Sequence, residues 1–363
     1  MLEGDYMRVI ITAGGTGGHI YPALAIIKKI EEKEPSEFLY IGTHNRMEKD
    51  IIPKEGYRYE ALEIYGFSKS MIKRDIKNVV LIYKAYQKCL KLMKEFKPDI
   101  VIGVGGYVTF PVIKAANKLG IKTFIHEQNS IPGKSNRALA KKASMIGVSF
   151  EDSKKYFDEK KTYLTGNPCG ENAVDIRKVS KTKYGLSNGK KGILIVQGSL
   201  GSKVINNKML PFLQSIDNED YEVLYVAGKD YYDDYIKNPF SANVKVVPYV
   251  DNLSALMKDM DLVITRAGAS ITSEIMSLAI PSIFIPSPYV ANNHQYYNAL
   301  SIKNAGAGEM IEEKDLNPTL LKTKIDEILN NPLKYKEIQN KLKDMSIDNS
   351  STMIYNLIKN LLR

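Results

Sequence analysis

From the amino terminus onward, short apolar runs alternate with stretches whose apolar positions recur every three or four residues. The runs MRVIITA, FLYIGT, YEALEI, DIVIGVGG, KTFIHEQ, MIGVSF and TYLTGNP form a first series. GILIVQGS, EVLYVAG, VKVVPYV, DLVITRAG and PSIFIPS form a second. Nearly continuous apolar runs read as strands buried on both faces, whereas PALAIIKKIEEKE and TSEIMSLA carry the period of a helix with one apolar face. Strand–helix alternation predicts βαβ units and parallel sheets. The series restarts after about residue 165, where SKTKYGLSNGKKG is polar, basic and glycine-containing. The pattern therefore predicts an α/β chain of two doubly wound, Rossmann-like domains, 7–165 and 166–348, with ligands at the carboxyl ends of the strands in a cleft between them. Residues 349–363, NSSTMIYNLIKNLLR, read as a terminal amphipathic helix packing back on the first domain.

Bulk properties narrow the class. A length of 363 residues suits two domains, and 44% apolar with 25% charged residues is ordinary for a globular protein. No 18-residue uncharged apolar run predicts a membrane-spanning helix. The start MLEGDYMRVIITAGG lacks the basic and apolar regions of a secretory leader; residues 1–6 read as a short extension and the chain as cytoplasmic. Cys89 and Cys169 stand alone, without CxxC spacing, and suggest neither a disulfide framework nor a zinc site. The formal charge of +10 is local. Between Met71 and Lys97, Lys73, Arg74, Lys77, Lys84, Lys88, Lys91, Lys94 and Lys97 face only Asp75 and Glu95, which argues for one basic face and against a nucleic-acid partner.

The chemistry begins at residues 12–26, TAGGTGGHIYPALAI. A dinucleotide fingerprint counted from Gly15 and Gly17 fails at Ile20, and no lysine–serine or lysine–threonine pair completes a Walker loop. What remains is a glycine turn that delivers backbone N–H groups and a helix start towards an anion, with Pro22 expected in the first helical turn. A tight turn without a ligand is the alternative. His19, at the mouth of the turn, is of the residue type that takes a proton from a hydroxyl near neutral pH, or else caps or packs the helix. GVGGYVTFP repeats the device with Gly105 and Gly106, and two such turns suit a pyrophosphate.

GGTGGHIYPAL, GVGGYVTFP, HEQNSIPGKSNR, TGNP, TRAGASITSEI and NNHQYYNA occur in one order along nearly the whole chain. Together they resemble the MurG family, the bacterial enzymes that convert lipid I to lipid II in peptidoglycan synthesis. The resemblance implies a GT-B fold and inverting transfer of N-acetylglucosamine from UDP-N-acetylglucosamine. The implied acceptor is the C4 hydroxyl of the muramyl sugar of an undecaprenyl-pyrophosphoryl muramyl-peptide, lipid I. It implies no cofactor or bound metal, and a peripheral place on the cytoplasmic side of the bacterial membrane.

By the same resemblance, Gly14, Gly15, Gly105, Gly106 and Tyr107 hold the acceptor's pyrophosphate, and His19 is the candidate base. Thr16, Gly17, Gly18, Asn129, Ser199, Val250, Ala269, Ser270, Thr272, Glu274 and Gln295 serve the donor. Among these, Glu274 chelates the ribose diol, for which a carboxylate's two acceptor oxygens are suited, Ser199 meets a phosphate, and the Val250 backbone reads uracil. His126 and Glu127 are expected to brace their loop, Asn136 and Arg137 to face the acceptor or solvent, and Asn298 to be structural. The chain departs from the pattern at Cys169–Gly170, where the family has a small residue and an arginine, and at QGSLGS, where Gln197 and Leu200 replace glycine and glutamine.

Lys73, Lys77, Val80 and Lys84 mark a membrane face on the segment MIKRDIKNVVLIYKAYQKCLKLMKEF, whose other apolar positions include Ile72, Ile76, Val79, Tyr83, Leu90 and Met93. Anionic inner-membrane lipids are the expected partner, each lysine adding about 1 kcal/mol; an ordinary helix with a solvated lysine face is the alternative. Two other readings remain open: a GT-B glycolipid glycosyltransferase with another donor or acceptor, and a non-catalytic membrane-surface homologue.

Overall fold

The computed structural model describes residues 6–66, 72–198, 201–216 and 220–363, with the backbone alone for 72–76. The chain divides into two compact units, Met1–Cys169 with Asn349–Arg363, and Gly170–Asp348.

The first unit holds a seven-stranded sheet of β1 (Met7–Thr12), β2 (Ser36–Thr43), β3 (Arg58–Leu62), β4 (Ile100–Gly103), β5 (Lys122–Glu127), β6 (Met145–Val148) and β7 (Thr162–Leu164). Their order is β3-β2-β1-β4-β5-β6-β7, and every pair is parallel. Alternate residues of one strand feed two cores, as strand geometry requires. Ile10, Val101 and Ile125 face Val112 and Ile113 of helix Thr109–Lys118. Val9, Ile11, Ile102 and Phe124 face Ile20 and Ile27 of helix Gly17–Lys33 together with Ile354 and Ile358 of the terminal helix Ser350–Leu362. That terminal helix is tied down further where Glu34 accepts from Tyr355 Oη and Lys359 Nζ, both at 2.9 Å.

The second unit repeats the plan with β8 (Lys191–Val196), β9 (Tyr221–Val226), β10 (Val244–Val247), β11 (Leu262–Thr265), β12 (Ser282–Phe284) and β13 (Glu309–Met310) in the order β10-β9-β8-β11-β12-β13, again all parallel. Strand order reverses between β1 and β4 in one unit and between β8 and β11 in the other, the switch points where doubly wound sheets bind ligands.

Every apolar run read as a strand forms one. β13 had no such run: its two residues pair with Ile283 and Phe284 and are only half-buried. The runs also end earlier than their apolar character suggests. DIVIGVGG leaves the sheet at Gly103 because Gly105 (φ +111°) and Gly106 (φ +88°) turn in the left-handed region. Pro22 lies inside helix Gly17–Lys33, beyond its first turn, because the helix starts at the glycines after the Thr16 N-cap. The first unit keeps Thr165–Cys169: Thr165 N bonds the Val148 carbonyl, and the Gly166 carbonyl accepts from His126 and Ser149.

Candidate active site

At the β1/β4 switch point the two glycine turns pack on each other. Gly14 N donates to the Gly105 carbonyl at 3.2 Å, and a Cβ on Gly106 would lie 2.4 Å from the Gly14 carbonyl oxygen. Gly15 N donates to Glu48 Oε2 at 3.1 Å. The N–H groups of Gly14 and Gly15 are thus engaged inside the protein, and a carboxylate lies behind them. Beside them lie the start of helix Gly17–Lys33, at Thr16, Gly17 and Gly18, and the left-handed turn at Gly105 and Gly106.

His19 is half-buried against Gly105, where an added Cβ would come within 2.5 Å of its Cδ2. Its Nδ1 lies 3.0 Å from the Gly14 carbonyl. A carbonyl only accepts, so Nδ1 carries the proton and Nε2 presents a lone pair. Burial lowers the imidazole's pKa, while the Gly14 bond and the charges of Glu127 and Glu48 oppose the fall.

The polar end of β5 is mostly scaffold. Glu127 Oε1 accepts from Asn129 N (3.0 Å) and Nδ2 (3.2 Å), and its Oε2 from Gly133 N (3.0 Å) and Asn136 Nδ2 (2.8 Å). Asn136 also donates to the His126 carbonyl and is buried away from solvent. Arg137 is exposed, its guanidinium 5.2 Å from the Tyr156 ring centre. His126 is fully buried between the Gly166 carbonyl and Gln128 Nε2, and burial pushes its pKa down to about 4.

In the second unit Gly268 caps helix Ala269–Leu278 with extended backbone and no side-chain bond. Among the described residues, the Ser270 and Thr272 hydroxyls and both amide atoms of Gln197 are buried without partners. Glu274 is half-buried; Ser254 Oγ donates to its Oε2 at 3.0 Å, yet burial raises its pKa to about 7. Gln295 Oε1 accepts from Ser287 N at 2.8 Å, and Asn298 Nδ2 donates to the Ala267 carbonyl at 3.1 Å. Val250 and Ala269 are buried. Ser199 lies outside the described residues. At Gly170 a Cβ would fall 2.4 Å from Ser277 Oγ and 2.9 Å from Ser273 Oγ, so packing leaves no space for the family's arginine.

Two supports escaped sequence reasoning: Glu48 and the ion pair of Arg266 with Glu313 at 2.7 Å. Glu48 opens a short helix, where an acidic residue is unremarkable for dipole reasons and signals nothing more.

Helix Ile72–Phe96 splits its apolar residues between two faces. Ala85, Cys89, Leu92, Met93 and Phe96 enter the core, with Leu90 packed beside them, whereas Val79, Val80 and Tyr83 are more than half exposed, beside exposed Lys77 and Lys84. The Lys73 side chain lies outside the described residues.

Two parallel doubly wound sheets, each with a strand–turn–helix junction at its switch point, define the GT-B class of fold. Residues 9–148 match the glycosyltransferase family 28 N-terminal domain and 192–354 its C-terminal domain. Relatives from Bacillus licheniformis (41% identical, 98% of this chain and 99% of theirs) and Bacillus cytotoxicus (40%, 98% and 100%) are both UDP-N-acetylglucosamine–N-acetylmuramyl-(pentapeptide) pyrophosphoryl-undecaprenol N-acetylglucosamine transferases. The crystal structure of Acinetobacter baumannii MurG superposes with a TM-score of 0.80 at 26% identity, covering 98% of this chain and 99% of that one. The chain belongs to the MurG family.

Proposed function

We infer that this chain transfers N-acetylglucosamine from UDP-N-acetylglucosamine to the muramyl sugar of lipid I, giving lipid II. The observation that carries the reading is near-full-length identity of about 40% to transferases of that name. In the mechanism we propose, His19 Nε2 removes the proton of the acceptor's C4 hydroxyl while that oxygen attacks the anomeric carbon. UDP leaves with the electron pair, its charge offset by helix starts and backbone amides. The acceptor's pyrophosphate rests on Gly105, Gly106 and Tyr107, where the backbone turns in the left-handed region. The first unit is the acceptor half.

The donor lies on the second unit. Glu274 takes the ribose diol, Val250 the uracil, and Ser270 and Thr272 the phosphates, supported by their unpartnered hydroxyls. Gln295 keeps an Nε2 donor for the sugar hydroxyls while its Oε1 holds the Ser287 amide. Asn129, anchored on Glu127, meets the reacting sugars.

Peripheral attachment to anionic lipid on the cytoplasmic face runs through Lys77, Val80, Lys84 and Tyr83; no helix among the described residues is long and apolar enough to cross a membrane. The test of the function is transfer of radiolabelled sugar from UDP-N-acetylglucosamine to a short-chain lipid I analogue. Product from the parent, reduced about 100-fold or more in kcat by His19→Ala, is expected. Tight donor binding without any product refutes lipid I as acceptor.

A further inference from the structure

The peptide group linking Gly14 to Gly15 joins two side chains on its opposite sides. Its carbonyl lies 3.0 Å from His19 Nδ1, and its N–H donates to Glu48 Oε2 at 3.1 Å. Glu48 is fully buried, and its Oε1 accepts from Thr43 N at 3.0 Å and Thr43 Oγ1 at 2.6 Å. Three donors converging on two oxygens is the pattern of an ionised carboxylate. Glycine makes the room: a Cβ on Gly14 would lie 2.3 Å from Glu48 Oε1, and one on Gly42 2.7 Å from Glu48 Cγ.

We propose that Glu48 is a positioning residue for the transfer, acting on His19 through the Gly14–Gly15 peptide as a carboxylate–peptide–imidazole relay. This rests on His19 being the base. An amide whose N–H is held by an anion carries more negative charge on its carbonyl oxygen, because linked hydrogen bonds polarise one another. The oxygen then grips Nδ1–H more firmly, fixing the tautomer that leaves Nε2 unprotonated. When Nε2 takes the proton from the C4 hydroxyl, the Nδ1–H bond becomes charge-assisted and strengthens. The relay therefore favours the protonated state that forms as the new C–O bond is made and the bond to UDP breaks. The charged groups acting on the ring are Glu127, from the end of β5, and Glu48, from helix Glu48–Lys54; Gln128 and the glycine turns are uncharged. Tyr40 and Tyr59 beside Glu48 stay neutral, raised by burial and then by its charge.

The experiment compares the full chain with Glu48→Gln, which keeps the shape and removes the charge. His19 is titrated by NMR, feasible in a chain with four histidines, alongside kcat and the KM for UDP-N-acetylglucosamine. The His19 midpoint is expected to fall by about half a pH unit or more. In step, kcat falls about tenfold and the donor KM stays within about twofold. Glu48→Asp, which retains the charge, recovers part of the shift. Thr43→Val serves if Glu48→Gln does not fold: it removes a donor that draws charge from the carboxylate, and the midpoint moves upward. An unmoved His19 midpoint in the folded variant overturns the relay whatever the rate. Undiminished transfer by His19→Ala overturns the base assignment instead, so the two failures are distinguishable.

Discussion

Lowering the pH from about 8 to about 6 is expected to weaken binding of UDP-N-acetylglucosamine roughly tenfold through one side chain, Glu274. Burial raises its pKa to about 7 against the opposing Ser254 hydroxyl. Chelating a ribose diol needs a carboxylate that accepts from both hydroxyls, so only the ionised form is competent. With a midpoint near 7 that form makes up about nine-tenths of the free protein at pH 8, half at pH 7 and a tenth at pH 6. The apparent Kd scales inversely with that fraction. Binding at pH 7 therefore releases about half a proton per donor. Isothermal titration calorimetry in two buffers of different ionisation enthalpy reads both quantities, and the donor's pyrophosphate diester does not itself titrate in this range. Glu274→Gln should bind more weakly at pH 8 and lose the pH dependence. Equal affinity of the parent at both ends of the range, with no proton released, refutes the reasoning and with it the ribose role of Glu274.

Gly170→Ala places a methyl 2.4 Å from Ser277 Oγ and should cost about 1–3 kcal/mol, read as a lowered thermal midpoint; an unchanged midpoint contradicts the packing argument. His126, fully buried with its pKa lowered to about 4, binds protons more readily in the unfolded chain, whose histidine titrates at about 6.5. Its contribution is intact above that value and is lost as pH falls towards 4, about 3 kcal/mol in all. Urea unfolding across that range, with His126→Gln as control, should show the excess loss in the parent alone. Lys77→Glu with Lys84→Glu should abolish salt-sensitive binding to anionic liposomes, each lysine contributing about 1 kcal/mol near the surface. Undiminished binding by the pair assigns the contact to another face.

The strands were legible because a strand buried on both faces must be apolar at nearly every position, and that is a local property of the sequence. The motif loops were legible for a related reason: glycine-rich ends of apolar runs fall at the carboxyl edge of a parallel sheet. The partners of those loops were not. Glu48 reaches Gly15 from a helix far along the chain, and Arg266 meets Glu313 from a different element. Neither pairing leaves a spacing to read. Helix Ile72–Phe96 was legible in part. Ile82, Ala85, Cys89, Met93 and Phe96 pack on one core along a single face, while Val79, Val80 and Tyr83 lie on another and are exposed, a division that only the packing reveals.

The two switch points share the same strand–turn–helix device but differ in their hydrogen bonds. In the first unit the turn after β1 is satisfied from within: Gly14 N by Gly105, Gly15 N by Glu48, and the Gly14 carbonyl by His19. Glycine there admits two protein groups, a carboxylate and an imidazole. In the second unit the Ser270 and Thr272 hydroxyls and the Gln197 amide are buried and unpartnered. Buried polar groups left unmade cost about 1–3 kcal/mol each, so a ligand that satisfies them recovers that cost on binding. On the mechanism proposed above, the satisfied turn holds the base in one tautomer and the unsatisfied one receives the oxygens of the nucleotide. Gln197 is one of the chain's departures from its family, yet it adds two hydrogen-bonding atoms at the donor turn. On the donor site proposed above, the absent arginine at Gly170 and the amide at Gln197 are expected to act in opposite directions on donor affinity. Gln197→Met, which removes the amide at nearly constant volume, separates them: a raised KM for UDP-N-acetylglucosamine at unchanged kcat is the expected result, and an unchanged KM would leave the loss at Gly170 without compensation from this residue.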